Sequence, residues 1–147
     1  MKVFVSINKE NWILDRIASE WKEHKKDLNT EDVFQANIIW ILDSYSWKKI
    51  DSNCLLSKKV VATVHHVVPW KFNAASFLAR DKFVDFYHTP CAQTQGFIQN
   101  FTKKPIYVVG YWYNPSLWRP LDKDECQREL GLDSKKFIVG SFQRDTE

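Results

Sequence analysis

His65-His66, the His88 and Cys91 pair, and the rings of Tyr45, Trp47, Trp70, Tyr111 and Trp112 are the side chains here best suited to chemistry. Adjacent strand residues point to opposite faces, so His65 and His66 are not expected to share one metal or one proton. His88 and Cys91 could form a thiol–imidazole pair, since a cysteine in a helix's first turn is stabilised as thiolate. No third group stands ready to orient that imidazole, and a structural cysteine is the stronger expectation. The five aromatic rings could stack on the apolar C–H face of a sugar. Packing within the protein accounts for them equally well.

Position gives these residues their meaning. The apolar run 2–7 leads into Asn8, 38–42 into Asp43-Ser44-Tyr45, and 60–64 into His65-His66. Likewise 83–87 leads into His88-Thr89, and 106–109 into Gly110-Tyr111-Trp112. If the runs are parallel strands, every chemically capable cluster sits at a carboxyl end, where open α/β sheets bind ligands. Lys58-Lys59, Lys103-Lys104 and Lys135-Lys136 stand just before runs, where a solvated edge is expected.

The intervening segments suit helices. Asn11 is placed to cap a helix to about Lys25, with Leu14, Ile17, Ala18 and Trp21 on one stripe. The gap between Asp27 and Ile38 is too short for a full strand and helix, so the second strand of a regular Rossmann unit is missing or vestigial. A short helix is expected over 73–81. Thr89-Pro90 reads as another helix start, carrying Thr94, Phe97, Ile98 and Phe101 inward. Asp122 and Glu125 cap a helix that stops at Gly131. Phe137-Ile138-Val139-Gly140 begins one more strand. The expected fold is α/β, a Rossmann-like three-layer sandwich with a mainly parallel sheet.

Composition sets bounds. With 147 residues, 44% hydrophobic and 15% aromatic, the chain can bury a real core. A net charge of +3 with acids mixed throughout does not suggest a nucleic-acid partner. The opening Met1-Lys2-Val3-Phe4-Val5 reads as a strand rather than a signal segment, and no apolar stretch reaches the ~18 residues of a spanning helix. Three scattered cysteines fit reduced thiols and a cytoplasmic setting. The lysine pairs leave peripheral contact with the inner membrane face as a weaker reading.

Three stretches carry a resemblance: Val60-Val61-Ala62-Thr63-Val64-His65-His66, the segment 105–120 through Gly110-Tyr111-Trp112-Tyr113-Asn114 to Pro120, and Gln127-Arg128-Glu129-Leu130-Gly131-Leu132 with 137–144. In this order they resemble the N-terminal half of GT-B glycosyltransferases of the family 4, group-1 type. The resemblance implies a metal-independent, hexosyltransferase-like enzyme that moves a sugar from a nucleotide-diphosphate donor to a carbohydrate or lipid-linked acceptor, with no other cofactor. It implies an acceptor-side domain with linker over 1–136. Residues 137–147 would open a donor-binding C-terminal domain whose remainder is absent, leaving the chain nearly inactive alone. His65 would be the catalytic histidine beside the transferred sugar. Asn8, Tyr45, His66, Tyr111 and Trp112 would line the substrate cleft, and Arg144 would meet the donor diphosphate. Asp122-Lys123-Asp124 spells the acid-x-acid pattern of metal-dependent transferases, but at a helix start capping explains it better. One departure stands out: Asn8-Lys9-Glu10-Asn11 has no glycine where the family carries a glycine-rich turn. That departure favours the alternative, a stand-alone α/β binding or interaction module without catalysis.

Overall fold

Short, β-branched runs that are apolar on both faces pair best when covered on both sides, and they do so here. The computed structural model describes residues 1–133 and 135–139. Strands β1 (Val3–Ser6), β2 (Ile38–Ile41), β3 (Lys59–Thr63), β4 (Phe86–Thr89) and β5 (Ile106–Val108) form one sheet in that order, every pair parallel. Helices α1 (Ile13–His24), α2 (Ser52–Ser57), α3 (Ala74–Asp81) and α4 (Ala92–Ile98) flank it. The architecture is α/β, a Rossmann-like three-layer sandwich.

Alternation along the strands builds two cores. Val5 and Trp40 pack with Ile17, Ala18, Leu14 and Trp21 of α1. Phe4, Ile39, Ile41, Val60, Ala62 and Tyr87 face the other way, against Leu55 of α2, Phe77 of α3 and Ile98 of α4. The vestigial strand is present as a single parallel bridge, Asn29 beside Val3. The chain therefore leaves β1 along one face to reach that bridge. It returns through Val33, on the other face, to lay β2 against the opposite edge of β1. This reversal puts a topological switch point between the carboxyl ends of β1 and β2. In open α/β sheets the ligand crevice lies there.

Several local expectations are corrected. Asn11 does not cap α1: it holds a left-handed φ of 56°, and Trp12 takes the N-cap position. Asp15 reaches back to accept from the N–H groups of Glu10 and Trp12, each at 3.1 Å, and those bonds lower its pKa. Thr89 does not start a helix, because it is fully buried as the last residue of β4, opposite Val108. Helix α4 begins after Cys91, although Thr94, Phe97, Ile98 and Phe101 pack inward as expected. Lys58 and Lys104 are not simply solvated. Lys58 Nζ donates to the carbonyls of Phe34 and Ala36, and Lys104 Nζ to those of Asp81 and Val84. They tie loops together at the amino edge of the sheet.

The chain divides into two compact units, Met1–Tyr111 and Trp112–Glu147. In the second, α5 (Lys123–Glu129) is capped by Asp122, whose Oδ1 accepts from the Glu125 N–H at 2.8 Å. Gly131 closes the helix at a φ of +66°, a conformation that suits glycine. Residues 137–139 lie in no strand among the described residues. The rest of that expected strand, and Arg144, lie outside the described residues.

Candidate functional site

At the switch point one carboxylate holds the turns in place. Asp43, the second residue past β2, is buried and accepts three backbone N–H bonds, from Asn8, Tyr45 and Ser46, all at 2.6 Å. Charge-assisted bonds this short are the strong kind, and they fix the β1 turn to the β2 turn. Asn8 thus contributes its backbone. Its side-chain oxygen is buried without a partner among the described residues, and it does not line the cleft described next.

Beside Asp43 a cleft of about 410 Å³ opens among the loops after β1, β2 and β3 and the start of α3. Tyr45, His65 and His66 line it, together with Trp12, Lys71, Asn73 and Arg80. Tyr45 is 61% exposed at its wall. The two histidines lie past the end of β3, in a loop rather than on a strand. The alternation that would send them to opposite faces therefore does not apply, and both reach the same cleft.

The tautomer of His65 follows from its partners. Its Nε2 lies 2.7 Å from the Leu42 carbonyl, which can only accept, so Nε2–H donates there. Burial lowers the pKa of His65 and keeps the ring neutral, so Nδ1 accepts from the Tyr111 hydroxyl at 2.5 Å. The two rings stack with centroids 5.7 Å apart. Burial raises the pKa of Tyr111, with a smaller contribution from Cys91, which keeps the phenol protonated as the donor. Both ring nitrogens of His65 are thus engaged. The ring latches the β3 loop to the end of β2 and presents an oriented Tyr111.

A second relay lies one strand over. Trp40 Nε1–H donates to Thr63 Oγ1 at 2.8 Å, and His88 Nδ1 lies 3.1 Å from the same hydroxyl. His88 Nε2 lies 2.8 Å from the Val109 carbonyl and so donates to it. Thr63 Oγ1 and His88 Nδ1 share the remaining hydrogen bond. Cys91 is no partner of this histidine. Its thiol lies 3.3 Å from Thr94 Oγ1, the contact that does most to lower its pKa. The carboxyl edge is therefore stitched from β1 to β5 by side-chain bonds.

Trp47 belongs to the core, its ring 5.8 Å from Phe83. Trp70 is 83% exposed and outside the cleft lining. Trp112 opens the second unit. Among the described residues no group of three histidine, cysteine or acidic side chains is arranged to hold a metal. No helix among them is long and apolar enough to cross a membrane. Residue types alone did not single out Trp12, Lys71 or Arg80. For Arg80 the available signal was its place, three residues after Phe77, on the stripe that α3 turns toward the sheet. No family profile, curated protein or solved structure matches the chain.

Proposed function

We propose that this chain is the acceptor-side part of a nucleotide-sugar-dependent glycosyltransferase of GT-B type, acting in the cytoplasm without a metal. The observation that carries the reading is the gathering of Tyr45, Trp12, His65 and His66 around one cleft beside the switch point. Aromatic walls suit the apolar faces of a sugar, and the His66 imidazole suits its hydroxyls. In the transfer, the bond from the anomeric carbon to the diphosphate breaks, and its electron pair leaves with the diphosphate. An acceptor oxygen bonds to that carbon, and its proton passes to the departing diphosphate or to solvent. His65, held by Leu42 and Tyr111, would shape the cleft wall against the sugar, and Arg144 would meet the donor diphosphate.

Exposed apolar residues support further protein packing against this chain. Leu117, Trp118, Leu121 and Leu130 of the second unit are exposed, and Phe137 is 93% exposed. A binding module without catalysis is the second reading, favoured by the full engagement of both His65 nitrogens. Incubating the protein in its longest natural reading frame with a panel of nucleotide sugars and saccharide acceptors separates the two. Release of nucleotide diphosphate with formation of a glycoside is the expected result. Absence of both with every donor, alongside retained saccharide binding, would establish the module.

A further inference from the structure

Arg80 is the most unusual charge in the molecule. It lies on α3, is only 4% exposed, and lines the cleft. Its Nη1 makes one weak bond, 3.5 Å to the Asp43 carbonyl, and its Nε has no partner among the described residues. The guanidinium rests over Phe77 and Tyr87, 5.6 and 5.9 Å from their ring centroids. The carboxylates in its field are occupied elsewhere. Asp81 Oδ1 accepts from the hydroxyls of Tyr87 at 2.9 Å and Thr102 at 2.8 Å, and Asp43 is held by three amides. Asp43 and Asp81 still attract the guanidinium, but among the described residues neither makes a direct ion pair with it. A buried cation without one is costly, and an arginine stays charged at any working pH.

Other features add positive potential in the same place. Lys71 lines the cleft on the preceding turn. The amino end of α3 also faces it, through Asn73, whose Oδ1 accepts from the Ser76 N–H at 2.9 Å. That end carries the positive pole of the helix. Glu10, on the β1 side, and Asp43 are the acidic residues in the cleft lining.

We propose that Arg80, Lys71 and the start of α3 form a site for an oxyanion, so that the cleft takes a saccharide bearing a phosphate or carboxylate. The ligand supplies the direct ion pair that Arg80 lacks among the described residues. The proposal rests on the reading of this cleft as a saccharide site, but binding decides it whether or not the protein transfers sugar. Planar guanidinium recognises either anion by paired N–H donors.

The test is a titration of the full 147-residue chain at low salt, followed by NMR and thermal melting. The probes are inorganic phosphate, glucose 6-phosphate, glucuronate and glucose. Phosphate is expected to shift the Arg80 and Ser76 resonances and to raise the melting temperature. One of the two anionic sugars is expected to bind at least tenfold tighter than glucose, and which one does so names the anion. Arg80→Met, close in volume and uncharged, is expected to lose that preference while melting no lower than the parent, since a buried unpaired charge is removed. Should that variant not fold, the exposed Lys71→Met decides, with an expected weakening of at least threefold. No response of the parent to any anion would overturn the proposal, as would an unaltered preference in Arg80→Met or in its substitute.

Discussion

Asp43→Ala is expected to lower the melting temperature of the chain by roughly 10–20 °C, the equivalent of about 3–5 kcal/mol. The variant strands three amides, those of Asn8, Tyr45 and Ser46, which now donate to one buried carboxylate at 2.6 Å. Those amides belong to the turns after β1 and β2, whose strand ends are also joined by the Leu42 N–H bond to the Ser6 carbonyl at 3.0 Å. Asp43→Asn keeps the shape and one acceptor oxygen but loses the charge, so it should lose roughly half as much. Circular dichroism melts of both variants check this. A fall of less than about 2 °C in Asp43→Ala would mean that the turns hold without the carboxylate.

The second large effect is on transfer. His65→Ala, in the longest natural reading frame, is expected to reduce turnover at least tenfold, about 1.4 kcal/mol of barrier. The substitution removes the anchor on Leu42 and the acceptor that orients Tyr111. Initial rates measured well below the melting temperature separate this loss from unfolding. His65→Gln retains an N–H for Leu42 and is expected to recover part of the rate. Turnover unchanged in His65→Ala would reduce the histidine to a structural latch.

Much of this was legible in the residues themselves. The runs at 38–42 and 60–64 are apolar on both faces, which only a covered parallel sheet accommodates, and their polar ends do lie along one edge. The short gap after Asp27 correctly signalled a second strand reduced to one bridge at Asn29. What escaped depended on tertiary placement. Asp43 looks like an ordinary turn residue until the β1 turn comes within reach of its carboxylate. Arg80 follows the general tendency of arginine to be exposed until Phe77 and Tyr87 are seen beneath it. Helix α2 escapes the sequence reading because its cap, Asp51, reads as loop; the Asp51 carboxylate accepts from the N–H groups of Asn53 and Cys54. The expectation of opposite faces for His65 and His66 requires the strand to run through them. It stops at Thr63, and a loop obeys no alternation.

The central claim is that the cleft beside the β1–β2 switch point binds saccharide. Amide and side-chain chemical shifts of the isotopically labelled chain, followed during titration with neutral and anionic sugars, test it most directly. The account predicts saturable shifts concentrated at Trp12, Tyr45, His65, His66 and Arg80, with the amino-edge lysines Lys58 and Lys104 unmoved. Saturable shifts centred on that lysine edge, or none anywhere with any sugar, would contradict it.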